Sequence, residues 1–167
     1  MANYQTPQLT DSMIELHIPS FSVAKKFYDS LGFKLVWERK PQINSKDHFR
    51  EGYMVMRRGQ TILNFYCGTE DVYNHSYFKQ WPKTSKRGYA VEIVLPIDNI
   101  KAFYQEVKRL FPKQIFQPLE KRFYFSDFRM SDPFGFFIRF VDRYNWVDTR
   151  DKSGKPTPGW LNDKTHP

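Results

Sequence analysis

Glutamate and histidine alternate near the start of the chain, in the segment Glu15-Leu16-His17. In an extended strand, residues two apart project from the same face, so the Glu15 carboxylate and the His17 imidazole are expected side by side. Two roles suit such a pair. The side chains are either ligands for a divalent metal, or polar groups that line a pocket and are satisfied by a neighbour.

The other reactive side chains form no recognisable catalytic motif. His48 and His75 fall in predicted loops and His166 in a C-terminal tail, where exposure to solvent is the default expectation. Cys67 has no nearby base in the sequence, and the chain has neither a glycine-rich phosphate loop nor a nucleophile elbow. Catalysis by an isolated nucleophile therefore has little support.

The alternation of apolar and polar residues, together with the turn residues, predicts the elements that position the Glu15–His17 pair. A strand over residues 13–18 precedes a helix that Ser20 or Ser22 caps and that stops near Leu31, just before Gly32. Three further strands follow, the last two of them joined as a hairpin, over residues 33–39, 53–57 and 61–66.

The second half of the chain repeats this order. Residues 89–95 predict a strand, and Asp98 is suited to cap a helix that runs through Leu110. The dipeptide Phe103-Tyr104 in this helix matches Phe27-Tyr28 in the first. Further strands are predicted over residues 114–117, 123–130 and 136–141, the last after the turn segment "SDPFG". The sequence thus predicts two copies of a βαβββ module.

The predicted boundaries divide the chain into five parts. They are a polar leader (1–12), the first module (13–66), a polar and aromatic linker that includes a short helix (67–87), the second module (88–142) and a tail (143–167). The tail is rich in Pro, Gly, Asp and Lys but keeps Trp146 and Trp160, which can dock it on the domain or on a partner chain.

Composition narrows the class of protein. Lys and Arg together number 26 and Asp and Glu 18, so the formal net charge is +8, which favours anionic partners. The cations form only short clusters without a nucleic-acid motif, so nucleic-acid binding is not expected. One cysteine excludes an internal disulfide framework, and no segment approaches the ~20 apolar residues of a membrane span. The sequence predicts a soluble, cytoplasmic protein.

The residues from about Met13 to Asp142 resemble the vicinal oxygen chelate superfamily, which includes glyoxalases, extradiol dioxygenases, fosfomycin-resistance enzymes and bleomycin-resistance proteins. The resemblance rests on three stretches in order, "IPSFSVAKKFYDSLGFKLVWE", "GYMVMRRGQTILNFY" and "SDPFGFFIRFVD". It implies an α+β fold in which two tandem βαβββ modules curl a mixed sheet into a cup for the ligand. It also implies a homodimer.

Metal-dependent members of the superfamily place a His in the first strand and a Glu in the last strand of each module. The matching positions here are Met13, Asn64, Glu92 and Arg139. Only Glu92 is a good ligand for a hard or borderline cation, and Arg139 would repel one. The resemblance therefore implies that the metal centre is lost and that no cofactor is needed.

Strand alternation predicts which side chains face the ligand. If Met13 points inward, so do Glu15 and His17, and the same argument holds for alternate residues of the other module strands. Trp37, Tyr53, Phe123, Phe125 and Phe128 are either aromatic walls of the pocket or core residues. The predicted ligand-binding residues are Met13, Glu15, His17, Trp37, Tyr53, Asn64, Tyr66, Glu92, Phe137 and Arg139, with Ile62, Ala90, Val94 and Val141 on the same faces.

Glu92 and Arg139 occupy equivalent positions with opposite charge. They either form a buried ion pair that replaces the metal, or each binds a charged group of the ligand. A double-mutant cycle distinguishes the two roles, because additive stability losses would argue against contact.

The resemblance supports three functions. The first is a metal-independent protein of the bleomycin-resistance type, which sequesters an aromatic or antibiotic-like ligand in the cup or in a groove at the dimer interface. Bleomycin-resistance proteins are generally acidic and match a cationic glycopeptide, so this basic chain better suits a neutral or anionic aromatic compound. The second is a metal-dependent glyoxalase or dioxygenase with relocated ligands. The third is a scaffold whose cup is filled by its own side chains or by the tail.

Overall fold

The computed structural model describes residues 14–42, 51–121 and 125–142, and two short strands at 149–150 and 156–157. Met13, His48, Phe123, Trp146, Trp160 and His166 lie outside the described residues. Backbone contacts divide the chain into two compact units. The first comprises Met1–Val91 with Ser131–Phe137, and the second comprises Glu92–Met130 with Ile138–Pro167.

The first unit contains a four-stranded mixed sheet and one α-helix. The elements in chain order are β1 (Glu15–Ile18), α1 (Phe21–Ser30), β2 (Lys34–Arg39), β3 (Gly52–Arg58) and β4 (Thr61–Cys67). The strand order is β1-β4-β3-β2. Strand β1 runs parallel to β4, whereas β4, β3 and β2 are antiparallel neighbours. This places β1 at one edge of the sheet.

Helix α1 begins and ends at the predicted residues. The Ser20 hydroxyl accepts a hydrogen bond from the Val23 backbone N–H, at 3.4 Å. At the other end, Gly32 has a φ of +86°, a conformation that glycine adopts without the steric cost of a Cβ. The Ser20 cap and the Gly32 stop are both confirmed.

The core of the first unit lies between α1 and one face of the sheet. Leu16 and Ile18 of β1 and Leu63 and Phe65 of β4 are buried, as alternate residues of neighbouring strands should be. Tyr28 of α1 packs on them, with its ring centroid 5.0 Å from that of Phe65. Each such side chain contributes about 1.5–3 kcal/mol when it is buried completely. The helix is therefore packed firmly on one face of this sheet. The other face of the same sheet is left to carry polar groups.

The turn Ser131–Phe137 belongs to the first unit and is organised by one buried carboxylate. Asp132 Oδ1 accepts hydrogen bonds from the backbone N–H groups of Phe134 and Phe136, at 2.9 and 2.8 Å. Asp132 Oδ2 accepts one from the Tyr28 hydroxyl at 2.9 Å. Burial raises the pKa of Asp132 to about 6, although the hydrogen bonds oppose this shift. The Asp of the "SDPFG" segment thus joins the turn to helix α1.

The predicted linker contains two short 3-10 helices, Glu70–Asn74 and Phe78–Gln80. Thr69 caps the first of them through its hydroxyl, which accepts a hydrogen bond from the Asp71 N–H at 3.3 Å. Val72 is buried, while Tyr77 and Trp81 are 60% and 47% exposed. The segment therefore packs on the first unit and still presents aromatic surface.

The second unit repeats the arrangement of elements. They are β5 (Glu92–Ile97), α2 (Ile100–Leu110), β6 (Ile115–Lys121), β7 (Ser126–Ser131) and β8 (Phe137–Asp142). The strand order is β5-β8-β7-β6. Two further strands, β9 (Thr149–Arg150) and β10 (Pro156–Thr157), form an antiparallel pair. Among the described residues, no helix is long and apolar enough to span a membrane.

Three local predictions in the second half were wrong. Strand β6 runs from Ile115 to Lys121, whereas the sequence predicted a strand over residues 114–117. Strand β5 begins at Glu92 rather than residue 89, because the preceding residues form turns in which Ala90 has a φ of +60°. Ala90 therefore does not share a strand face with Glu92. Helix α2 is capped by Asn99, whose side-chain oxygen accepts a hydrogen bond from Ala102 N–H at 3.2 Å, and not by Asp98. Asn caps a helix as well as Asp does, so sequence preference could not separate the two.

The α+β fold with two βαβββ modules is confirmed. In both modules the strands and the helix occur in the predicted order, and each set of four strands forms one sheet. The common cup and the homodimer that the resemblance implies stay predictions.

Candidate ligand-binding site

Six of the predicted site residues share the open face of the first sheet. The strand register pairs Glu15 with Asn64 and His17 with Tyr66, and it pairs Tyr66 with Tyr53 on the other side. Trp37 lies opposite Val55, the residue that pairs with Asn64, so Trp37 belongs to this face as well. The face that helix α1 does not cover is therefore the one that carries the polar and aromatic residues.

Rings form a continuous row across this face. The centroid of Tyr53 lies 6.2 Å from that of Trp37 and 6.5 Å from that of Tyr66. Tyr66 in turn lies 4.8 Å from His17. Desolvation raises the pKa of Tyr53 to about 12 and also raises that of Tyr66. Both phenols therefore stay protonated at neutral pH and can donate hydrogen bonds.

Glu15 and His17 bind each other. His17 Nε2 lies 3.0 Å from Glu15 Oε1, and the Tyr53 hydroxyl also hydrogen-bonds the Glu15 side chain. Burial lowers the pKa of His17, and the nearby His75 and Arg87 lower it further, although Glu15 opposes them. A neutral ring that donates from Nε2 to Glu15 carries its lone pair on Nδ1. That atom is buried and has no hydrogen-bond partner among the described residues.

The surroundings of His17 come from the linker as well as from the sheet. Its ring meets His75 edge-on at 5.1 Å and Phe78 at 5.0 Å, measured between centroids. Arg87 Nη1 donates a hydrogen bond to the His17 carbonyl oxygen at 2.9 Å. The carbonyls of Ile14 and Ile18 accept from the backbone N–H groups of Asn64 and Gly68, in and just after β4, so the His17 carbonyl points away from β4. Arg87 thus satisfies an acceptor on the free edge of β1.

A cavity of about 730 Å³ lies along β1 within the first unit. Residues 14–17 of the edge strand β1 form one wall of the cavity. Most of the other lining residues come from the segment 72–91. Tyr73, Phe78, Trp81, Tyr89 and Phe136 supply aromatic surface, and Ile14, Val72 and Val91 supply aliphatic surface. Of the predicted site residues, Glu15 and His17 line this cavity, whereas Trp37, Tyr53, Asn64 and Tyr66 do not.

Three cations lie on the same cavity wall: Lys83, Lys86 and Arg87. The Lys83 ammonium lies 5.0 Å from the ring centroid of Tyr73, and the Arg87 guanidinium lies 4.7 Å from it. Such contacts orient a cation without neutralising its charge. The cavity therefore combines flat aromatic surface with positive charge.

In the second unit, Glu92 and Arg139 belong to a network of four charged residues. Arg139 Nε donates to Asp127 Oδ2 at 2.7 Å, and Arg129 Nε donates to Glu92 Oε1 at 2.7 Å. Arg129 Nη1 lies 3.2 Å from Asp127 Oδ2. The contact between Arg139 Nη1 and Glu92 Oε2 is longer, at 3.9 Å. Glu92 and Arg139 do approach each other, but each has a shorter contact with a residue that the sequence prediction did not include.

The residues at the predicted metal-ligand positions do not fit a divalent cation. Asn64 donates from Nδ2 to the Ile14 carbonyl at 3.3 Å. Glu92 faces two guanidinium groups, and Arg139 would place a positive charge beside the ion. Met13 lies outside the described residues. Within the described parts of the chain, no three His, Cys, Asp or Glu side chains form a group that would hold a metal ion.

The remaining aromatic predictions divide between the two roles. Phe128 is a core residue, fully buried with its ring stacked 4.8 Å from that of Phe140. Phe125 lies beneath the Arg139 guanidinium at 5.1 Å. Phe137 is half-buried at the start of β8. The sequence prediction missed the cavity residues Tyr73, Phe78, Trp81, Lys83, Lys86 and Arg87, although aromatic and basic residues are concentrated in this stretch.

Solved structures with a similar fold support the resemblance. A hypothetical protein from S. aureus is 20% identical with a TM-score of 0.57, over 81% of this chain and 95% of that chain. A bleomycin-binding protein complexed with bleomycin is 17% identical with a TM-score of 0.51, over 81% and 100%. A glyoxalase family protein from Enterococcus faecalis is 13% identical with a TM-score of 0.54, over 78% and 94%.

No protein-family model and no curated protein matches the sequence significantly. The likeness to solved structures covers about four fifths of this chain and almost the whole of each neighbour. The repeated βαβββ module and these neighbours together show that the chain has the glyoxalase/bleomycin resistance fold.

Proposed function

We propose that this protein binds a small aromatic or antibiotic-like molecule and sequesters it without a metal ion. The observation that carries the proposal is the cavity beside β1, with its five aromatic side chains and its volume of about 730 Å³. Small-molecule sites are concave, mostly apolar and typically about 300–1,000 Å³ in volume. A flat ring system would gain from contact with aromatic walls as well as from burial.

The chemistry of the site favours binding over reaction. His17 directs Nε2 to Glu15, and its lowered pKa keeps the ring neutral. In the second unit, the charged side chains of Glu92, Asp127, Arg129 and Arg139 pair with one another. Neither group includes an exposed nucleophile beside a base, which is the arrangement that covalent catalysis requires. Sequestration needs only the cavity.

The fold is compatible with this function. One solved neighbour is a bleomycin-binding protein complexed with bleomycin, which shows that the fold can hold an antibiotic. The positive charge of the present chain, +8, does not suit bleomycin, which is a cation. The ligand is accordingly a neutral or anionic aromatic compound.

A thermal-stability screen tests the proposal. Flat aromatic antibiotics and bleomycin-type peptides should be compared, since a ligand at 100 times its dissociation constant stabilises the folded state by about 2.7 kcal/mol. A hit should lose most of its effect in Trp81→Ala, which removes an aromatic cavity wall that is 47% exposed. Phe116→Ala is the matched control, because Phe116 is an exposed aromatic residue outside the cavity.

Metal analysis of the purified protein distinguishes sequestration from a metal-dependent reaction. We expect less than stoichiometric Zn, Ni, Mn and Fe, and no change in ligand binding after treatment with a chelator. One equivalent of any of these metals, together with binding that depends on it, would favour the glyoxalase or dioxygenase alternative instead.

A further inference from the structure

We propose that the natural ligand of this cavity carries an acidic group, such as a carboxylate, sulfonate or phosphate ester, next to its aromatic ring system. The acidic group is held by Lys83, Lys86 and Arg87, and the rings are held by the aromatic side chains that line the same cavity. This inference rests on the proposed function, since it specifies the ligand of the same cavity.

The charge on the cavity wall is one-sided. Lys83, Lys86 and Arg87 contribute three positive charges, whereas Glu15 is the one carboxylate among the lining residues. The Glu15 carboxylate already accepts from His17 Nε2 and from the Tyr53 hydroxyl. Lys83, Lys86 and Arg87 form no ion pair with another described residue. A net positive potential therefore remains in the cavity, and an anion would be attracted to it.

Two of these cations converge on one ring. Lys83 and Arg87 both lie within contact distance of the Tyr73 ring, at 5.0 and 4.7 Å from its centroid. Two like charges near one ring add to the positive potential around it, and an anion that binds nearby would be attracted to both. The aromatic ring holds the cations in place beforehand, so less side-chain entropy is lost when a ligand binds.

The segment that carries the cations is held by one side-chain contact and one backbone contact. Arg87 Nη1 donates to the His17 carbonyl on β1 at 2.9 Å. The next residue, Gly88, donates its N–H to the Gly135 carbonyl at 3.2 Å. A Cβ on Gly88 would lie 2.6 Å from the Phe136 Cα, so only glycine allows this close approach. The positive wall is therefore a fixed part of the first unit.

A matched pair of fluorescent probes tests the inference. Anilinonaphthalene sulfonate and phenylnaphthylamine have the same aromatic system, and only the first carries an acidic group. We expect the sulfonate to bind to the wild-type protein at least about tenfold more tightly, since a partly desolvated ion pair adds roughly that factor. Its affinity should fall as salt is added, whereas that of the neutral probe should not.

The variants locate the effect. The double variant Lys83→Gln/Lys86→Gln should weaken binding of the sulfonate about five- to tenfold and leave the neutral probe within about twofold. Lys26→Gln/Lys101→Gln removes the same net charge at exposed positions outside the cavity and should change neither affinity. Both changes are on the surface, and thermal melting checks that the variants fold.

The outcomes separate this inference from the proposed function. Equal affinity for the two probes, or an equal loss of sulfonate affinity in the two double variants, would overturn the inference that the ligand carries an acidic group. The proposal of an aromatic binding site would still stand. If neither probe binds to the wild-type protein, both proposals fail. Loss of both probes in Lys83→Gln/Lys86→Gln alone would also contradict the inference, since the cations would then support the cavity itself.

Discussion

Arg139 holds the carboxylate of Asp127, with its Nε 2.7 Å from Oδ2, and the Asp127 side chain has no exposed surface. Arg129 approaches the same oxygen at 3.2 Å, and its own Nε binds Glu92. Buried charges are tolerated only when they are paired, so removal of one partner should cost far more than loss of a surface ion pair. Loss of either partner would thus leave an unpaired charge within the second sheet.

Substitution within this network should therefore be strongly destabilising. We expect Asp127→Asn and Arg139→Met each to lower the free energy of unfolding by about 3–5 kcal/mol. The double variant should lose much less than the sum, because it leaves no unpaired buried charge. Urea denaturation measures all three. Lys34→Gln breaks the exposed contact with Asp29 and should cost less than about 1 kcal/mol. Additive losses from Asp127→Asn and Arg139→Met would show that the two side chains do not interact.

The buried Asp132 should make stability depend on pH. Its pKa is raised from 3.8 to about 6 by burial, so the folded protein holds a proton more tightly than the unfolded chain does. This contribution to stability is complete below pH 3.8 and is lost as the pH rises through about 6. The difference between the two pKa values corresponds to on the order of 1–3 kcal/mol.

The variant Asp132→Asn tests this dependence. Asn stays neutral and keeps an oxygen that accepts from Phe134 and Phe136. Relative to wild type, its free energy of unfolding should therefore rise between about pH 4 and pH 7. Urea titrations over this range measure the difference. A constant difference, or one that falls as the pH rises, would contradict the raised pKa.

His17 should make the free energy of unfolding depend on pH in the opposite direction. Burial lowers its pKa below 6.5, so the unfolded chain binds the proton more tightly. The stabilisation is present above pH 6.5 and is lost as the pH falls through the lower, folded-state pKa. His17→Gln should be less sensitive than wild type to acid over this range, and proton NMR of the imidazole gives the pKa directly. A His17 pKa above 6.5 would show that the attraction of Glu15 outweighs burial and the nearby His75 and Arg87.

Gly88→Ala should disrupt the cavity wall. The added methyl group would lie 2.6 Å from the Phe136 Cα and 2.9 Å from the Gly135 carbonyl oxygen, and both of these are backbone atoms. Overpacking of this kind typically costs about 1–3 kcal/mol. The matched control is Gly59→Ala, since no atom lies within 4 Å of that position and only its φ of +56° adds strain. Probe binding should weaken in Gly88→Ala only. Unchanged stability and binding would show that the position of residues 86–88 does not depend on close packing against the turn Ser131–Phe137.

The order of the elements was predictable because each depends on local pattern. Strand β1 alternates between buried and accessible residues, Ser20 caps α1, and Gly32 ends it. The second module was harder to delimit. Asp98 and Asn99 are equally good caps, and the turn at Ala90 requires a positive φ that alanine rarely adopts.

The candidate site was predictable only in part. Glu15 and His17 were found because strand alternation places them together. The pairing of Arg139 with Asp127 was missed because the two residues lie on different strands, β8 and β7, and the sequence alone does not give the register between strands. The cavity wall was missed because residues 72–91 have no periodic pattern, so only tertiary packing determines where their side chains lie.

The most direct measurement is the position of a bound aromatic anion on the folded protein. Backbone amide NMR spectra recorded as anilinonaphthalene sulfonate is added should show shifts concentrated at the residues that line the cavity, which are 14–17, Phe136 and part of 72–91. The amides of helix α2 should be unaffected. Shifts confined to the second unit, or scattered without saturation, would contradict a binding site beside β1.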